Sequence, residues 1–311
     1  MKVTVILLTY LHEHYIEQAL ESVLGQQTDF DFEITIIEDC SPDRTREIVQ
    51  EYARKYPDKI SLRLPPHNRN DNLEWMKAIE TARGQYIALL DGDDYWTSPH
   101  KLQKQVDFLD QHTDCVQCFH STEHFYEDES RESYRSTSPG NKVLLTLEDL
   151  YQGNFIPTCS ILFRKGLFGS FPDWFNDIYG ADWAIHLMNT QHGKIGYIDE
   201  VLGATRIHGG GAWNGAGSIK QLEIMIGDYT ILREKLAFID DKILTGQISR
   251  FYHDLAVQYA AQNDFAKARQ LAFRAITEKW SHPYISLMDR LRLLLGLYLP
   301  AWYKFRTSTS N

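Results

Sequence analysis

Cysteine is scarce. Four residues of 311 are cysteine, at Cys40, Cys115, Cys118 and Cys159. They are too few and too scattered for a disulfide framework, which points to a reducing compartment. Cys115-Val-Gln-Cys118 has the spacing of a zinc knuckle or a redox pair, but no second CxxC and no nearby His pair completes a metal set. The stretch "CVQCFHS" reads instead as a buried strand. No block of Lys and Arg stands out in a chain of net charge -10 and pI about 5.6, which excludes an electrostatic nucleic-acid binder. No apolar run is long enough to span a bilayer. The opening "VTVILLTY" is too short for the apolar region of a secretory signal and lacks a small-residue cleavage site, so it reads as a first strand. A cytoplasmic protein is expected.

The apolar content is ample. At 43% hydrophobic, the chain can bury a sizeable core, as one large domain or two smaller ones. "KVTVILLTY" and "FEITIIED" are apolar, β-branched runs without clear alternation, as buried parallel strands are. "HEHYIEQALESVLGQ" places Ile16, Leu20, Val23 and Leu24 at helical spacing, with Gly25 as a stop. "SPDRTREIVQEYARKYP" predicts a second helix, with Ser41 and Pro42 as its cap and first residue. "ISLRLPP", "NLEWMKAIETARG" and "QYIALLDGDD" continue the alternation of strand and helix. The pattern predicts a doubly wound, mostly parallel α/β sheet followed by a C-terminal α-helical region. In such sheets ligands bind beyond the carboxyl ends of the strands. Thr9-Tyr10, Glu38-Asp39 and Asp91-Gly92-Asp93 all fall there.

"LLDGDDYW", residues 89 to 96, sets Asp91, Asp93 and Asp94 within four positions. Carboxylates so close repel one another and cannot receive phosphates directly. They can hold a divalent cation that bridges to a diphosphate, because Mg²⁺ and Mn²⁺ prefer oxygen ligands. The plainer reading is an acidic turn in which Asp94 caps the next segment.

The set "LLTY", "IIEDCSPDRT", "HNRNDNLEWMKAIETARGQYIALLDGDDYW" and "SPHKLQKQVDFLD" resembles the inverting family 2 glycosyltransferases of GT-A fold, bacterial members that build surface polysaccharides above all. The resemblance covers roughly residues 1 to 215. It implies a nucleotide-diphosphate sugar donor, a divalent metal (Mn²⁺ or Mg²⁺) and single displacement. By that resemblance Thr9 and Tyr10 lie along the base, and Glu38 and Asp39 match the acidic pair that follows the second strand, Asp39 being the base contact. Asn68 and Asn72 fall in the loop that approaches ribose and phosphates. Asp91 and Asp93, with Gly92 between them, match the DxD pair: Asp93 ligates the metal, and Asp91 reaches the ribose or a metal-bound water. Two positions depart from the pattern. Leu11 stands where the family often has Asn, and Cys40 where it often has Gly. Uridine is the default base, with guanosine and deoxythymidine open.

The later sequence must supply a base and an acceptor site. An inverting transfer needs a group that takes the proton of the acceptor hydroxyl. The family places an acidic residue at the start of the helix in "YGADWAIHLMNTQHGKIGYI", and Asp182 fits, with Asp177 and Asp173 as alternatives; Asp182 could also simply cap that helix. His208, before Gly209, Gly210 and Gly211 in "ATRIHGGGAWNGAG", matches family stretches that fold over the donor and reach the metal or the diphosphate. The expected domains are a GT-A catalytic domain over 1–218, with a nucleotide-binding half of about 1–97 and an acceptor half of about 98–218, and a helical region over 219–311. Within the latter, Ala256, Ala260 and Ala268 suit a closely packed helical hairpin without a second copy. The terminal "YISLMDRLRLLLGLYLPAWYKF" fits three settings: a bilayer interface at the inner membrane face near a lipid-linked acceptor, packing on its own domain, or a homodimer contact. Two other classes of function stay open: a sugar nucleotidyltransferase, whose Gly-rich basic loop "TYLHEHY" lacks, and a non-catalytic sugar-nucleotide-binding module. The acceptor expected is a saccharide, free or lipid-linked.

Overall fold

The structure, a computed structural model, describes residues 1–278 except 70, 152 and 212. The terminal segment 284–305 lies outside the described residues. Strand and helix alternate from the start: β1 Val3–Thr9, α1 Ile16–Leu24, β2 Phe32–Glu38, α2 Thr45–Lys55, β3 Ile60–Arg63, α3 Leu73–Thr81 and β4 Tyr86–Asp91. There follow β5 Tyr95–Trp96, α4 Lys101–Gln111, β6 Cys115–Tyr126, β7 Tyr134–Arg135, β8 Leu144–Leu145, α5 Leu147–Leu150, β9 Leu162–Arg164, α6 Ala181–Thr190 and β10 Lys194–Ile207. Three helices close the described chain: α7 Gly217–Lys235, α8 Asp241–Ala261 and α9 Phe265–Glu278.

One sheet runs in the order β3-β2-β1-β4-β9-β6-β10-β5, with β7 and β8 on its margins. Strands β3, β2, β1 and β4 are parallel, and β6 and β10 are parallel to each other. The short β9 joins the two sets by pairing antiparallel with both β4 and β6. This is a mixed α/β fold with a central, mostly parallel sheet, as the apolar runs of β1, β2 and β4 predicted. Val3, Val5, Leu7, Ile34, Ile36, Ala88 and Leu90 are buried, and pack with Ile16, Leu20 and Val23 of α1. Gly84 is required where the chain enters β4, because a Cβ there would lie 2.4 Å from the Thr4 nitrogen.

Cys115 and Cys118 sit in β6, buried and free. Both belong to the core cluster that holds Leu102, Val106 and Leu109 of α4, so they read as packing residues.

Two local expectations are corrected. Ser41 and Pro42 do not open α2, which begins at Thr45. The Ser41 hydroxyl accepts instead from the Leu11 N–H (3.0 Å), and the Asp43 carboxylate takes the Thr45 N–H (3.0 Å). His12 and His14 are not on the first helix either; residues 12–15 form the turn before it, and α1 starts at Ile16.

The chain divides into two compact units, residues 1–177 with 181–211, and residues 178–180 with 212 onward. In the second unit α8 and α9 pack through Leu255, Ala256, Ala260, Ala268, Leu271 and Ala272. The alanines let the two backbones approach closely.

Candidate active site

The strand register sets the site. Thr9 lies beside Glu38, and Leu8 beside Asp91, so β1, β2 and β4 end in one row. Beyond β4 the chain turns sharply: the Gly92 N–H bonds to the Leu8 carbonyl (2.8 Å), and the Asp94 N–H to that of Asp91 (3.1 Å). Only glycine fits at position 92. A Cβ there would come within 2.5 Å of Thr9 Oγ1 and 2.8 Å of His12 Nδ1.

The three aspartates meet different surroundings. Asp91 ends β4, where burial and the charges of Asp93, Asp94 and Asp182 push its carboxyl well above the ordinary range. Asp93 Oδ2 lies 3.1 Å from His208 Nε2 and 3.6 Å from His12 Nε2. Burial works to raise this carboxyl too, but the His208 hydrogen bond and the neighbouring His12 outweigh it and hold Asp93 below the ordinary value. Asp94 is buried, and burial followed by the charge of Asp93 pushes its carboxyl up to about 7. It caps no helix: its Oδ1 accepts the Arg206 N–H of β10 (2.9 Å).

Arg206 binds the end of β10 to this turn. Its Nε donates to the Asp93 carbonyl (3.2 Å) and its Nη2 to Gln18 Oε1 (2.8 Å), and its guanidinium lies 4.6 Å from the Tyr15 ring centre and 4.9 Å from that of Phe125. The loop two residues on is thereby placed over Asp93. The His208 ring lies 5.0 Å from Tyr15, whose hydroxyl donates to Glu127 (2.8 Å). The hydrogen bond to Asp93 raises the His208 pKa, whereas burial lowers that of His12. His208 is thus held rather than loose, although glycines follow it.

Asp182 is the second residue of α6 and does not cap it from outside. Its Oδ2 accepts from Asn154 Nδ2 and Thr158 Oγ1, both at 3.0 Å, and its Oδ1 from the Trp183 N–H (2.7 Å). Asp173 and Asp177 open and close a one-turn helix ahead of α6.

The remaining residues singled out in the sequence are placed unevenly. Thr9 is buried, with Oγ1 3.2 Å from His12 Nδ1; Tyr10 is exposed at the strand end. Glu38 is fully buried, paired with Arg46 and accepting from the Ser41 N–H (2.6 Å), so its carboxylate is committed to the loop. Asp39 Oδ1 accepts from the Arg69 N–H (3.1 Å). Asn68 is exposed, while the Asn72 amide donates to the Phe175 carbonyl (3.0 Å), tying its loop to residue 175. Sequence reasoning missed His12, Tyr15, Arg206, Asn154 and Thr158. Their partners lie far along the chain, and of the five only Arg206 falls in a stretch the sequence singled out for function, the one around His208.

No three His, Cys, Asp or Glu side chains among the described residues form a ready ligand set for a metal ion. Asp93 Oδ2 and His208 Nε2, 3.1 Å apart, could share one divalent ion in place of their proton, and the Asp91 carboxyl, raised by burial and then by the charges of Asp93, Asp94 and Asp182, belongs to the same turn. Protein ligands alone would leave such an ion open to further oxygen donors, as Mg²⁺ sites on phosphates are.

Comparison with known proteins gives the class. Residues 4–170 match the model of glycosyl transferase family 2, and the chain belongs to that family. An uncharacterized protein of Mycobacterium tuberculosis is 34% identical over 213 residues, 68% of this chain and 61% of the relative. The match thus spans about three fifths of that relative's length. The poly(ribitol-phosphate) β-N-acetylglucosaminyltransferase TarS of Staphylococcus aureus is 34% identical over 115 residues, 36% of this chain and 19% of TarS. The solved TarS 1–349 complex with UDP-GlcNAc superposes with TM-score 0.65 at 18% identity, covering 89% of this chain and 81% of that one. The mannosyltransferase PcManGT of Pyrobaculum calidifontis, with GDP-Man and Mn²⁺, gives TM-score 0.57 at 16% identity over 99% and 83%. These structural likenesses concern the fold, which is the GT-A type.

Proposed function

We propose that the protein is a metal-dependent, inverting glycosyltransferase. It moves a sugar from a nucleotide-diphosphate donor, a UDP-sugar by default, to a hydroxyl of a saccharide acceptor in bacterial cell-surface polysaccharide synthesis. The observation that carries this reading is the convergence of Asp91, Asp93 and His208 at the end of β4, with the charge of Asp182 bearing on Asp91. The surface-polysaccharide setting draws on the name of TarS, and the donor and metal draw on the ligands of TarS and PcManGT.

The residues divide the work. Thr9, Tyr10 and Asp39 border the base, and Asn68 and Asn72 belong to the loop near ribose and phosphates. Asp93 and His208 would hold the divalent ion, and Asp91 would meet the ribose or a water on that ion. When bound, the ion neutralises charge on the leaving diphosphate. Asp182 takes the proton of the acceptor hydroxyl as that oxygen attacks the anomeric carbon from the face opposite the diphosphate. Asn154 and Thr158 donate to Asp182 Oδ2 and fix its direction. We assign catalysis to residues 1–218, with nucleotide contacts before about 97 and acceptor contacts after it.

The test is release of nucleoside diphosphate from a panel of UDP-, GDP- and dTDP-sugars, with Mn²⁺ and with a chelator. One donor should be consumed only with metal. Asp93→Ala should abolish that consumption while the protein stays folded, because the change opens no large cavity and sets the lost His208 contact against relieved repulsion on Asp91 and Asp94. Equal release with chelator, or full activity in Asp93→Ala, would contradict the proposal.

A further inference from the structure

We propose that His12 is a positioning residue for the Asp93–His208 pair: it holds the Asp93 carboxylate in the orientation that serves His208 and a divalent cation. The inference rests on the metal reading above and assigns it a residue that no sequence motif marked.

The turn after β1 is built to present this ring. Leu11 takes a left-handed φ of 60°, which reverses the chain. Three successive N–H groups, of Leu11, His12 and Glu13, are then pinned by Ser41 Oγ (3.0 Å), Thr45 Oγ1 (2.9 Å) and Asp43 Oδ2 (3.2 Å). The backbone is therefore fixed from the loop before α2 and from the start of that helix. The ring is fixed separately. Its Nδ1 lies 3.2 Å from Thr9 Oγ1, and it is packed so tightly over the Gly92 α-carbon that a Cβ would come within 2.8 Å of Nδ1. With one nitrogen engaged by Thr9, the other faces Asp93 Oδ2 at 3.6 Å, a little beyond hydrogen-bond length.

Packing alone does not explain this arrangement. An apolar ring would fill the same space, whereas both nitrogens here face polar partners. His12 and His208 approach the same carboxylate oxygen, and the two histidines come from opposite ends of the folded unit. His208 arrives on the loop after β10, while His12 belongs to the pinned turn after β1. His12 is thus the fixed member, against which Asp93 keeps its place whether or not His208 is engaged. Residues that orient a metal ligand in this way are worth about 10- to 100-fold in metal affinity.

Calorimetric titration with UDP, GDP and dTDP, each with Mn²⁺ and with EDTA, selects the best-binding nucleotide for wild type. The same titration is then run on His12→Ala, His12→Gln and His12→Asn. In His12→Ala the gain in affinity produced by Mn²⁺ should shrink about 10-fold or more, while affinity in EDTA stays within about twofold. Gln places an amide nitrogen where Nε2 stood and should restore much of the gain; Asn reaches Thr9 but not Asp93 and should behave as Ala. The Gln and Asn pair decides the matter even if His12→Ala fails to fold. An undiminished Mn²⁺ gain in His12→Ala or His12→Asn, or equal losses with and without Mn²⁺, would overturn the inference and leave the metal reading standing. Absence of any Mn²⁺ gain in wild type would remove the metal reading itself, and this inference with it.

Discussion

Leu11 and Cys40, the two departures from the family pattern, share one physical property. Their φ angles are 60° and 61°, in the left-handed region where a Cβ crowds the backbone. Asn and Gly are the residues that enter that region most easily, which explains why such residues suit these two turns. Cys40→Gly should therefore stabilise the protein by about 1 kcal/mol, the strain relieved less the added freedom of the unfolded chain. A higher denaturant midpoint at unchanged slope would show it; a lower midpoint would mean that the Cys40 side chain contributes more than its turn costs. The Asp93–His208 pair makes a second prediction at this scale. The His208 pKa is raised, so its contribution is present below the ordinary 6.5 and is lost as pH rises through the higher folded value. The Asp93 pKa is lowered, so its contribution is present above the ordinary 3.8 and is lost as pH falls through the lower folded value. In metal-free protein, His208→Gln should therefore cost stability near pH 5.5 and little near pH 8.5. Equal losses at both would show that the pair is not what holds the loop.

At the scale of the element, the strands and helices from β1 to β4 were legible because their apolar periodicity is local. The run "FEITIIE" became β2, buried along its whole length, and "IEQALESVL" became α1, ended by Gly25 as read. Antiparallel β9, wedged between β4 and β6, is the joint between two parallel sets, which no local pattern marks, because pairing direction is a long-range property. Helix starts failed where side chains had other partners, as Ser41 did with Leu11. α4 hides the least expected feature. Its first residue, Lys101, is fully buried, its Nζ has no hydrogen-bond partner among the described residues, and it lies 4.0 Å from the centre of the Trp96 ring. Burial pulls its pKa down from 10.5 to about 7. Between those values the unfolded chain holds a proton that the native lysine has given up, so this group makes stability rise with pH across that window. Lys101→Met, similar in volume and without the charge, should remove that rise. Denaturation midpoints at pH 7.5 and 9.5 test this, and an unchanged difference between them would refute it.

At the scale of the whole molecule, the account has one centre, the row of strand ends from Thr9 to Asp91, with Asp182 and His208 brought in by the later half of the same unit. The acidic turn "LLDGDDYW" stood out in the sequence because it crowds three carboxylates at the end of an apolar strand. The supports of that turn could not be read, since Arg206 lies 113 residues and His208 115 residues along the chain from Asp93. No helix among the described residues is long and apolar enough to cross a membrane. The claim that decides the whole is that binding and chemistry are separate at Asp182. Asp182→Asn keeps the size of the side chain but cannot accept a proton at neutral pH. The measurement is nucleoside-diphosphate affinity with Mn²⁺ beside transfer turnover in this one variant. The account predicts near-normal affinity and turnover reduced about 100-fold or more, the scale of general-base catalysis. Normal turnover, or lost donor binding, would contradict it.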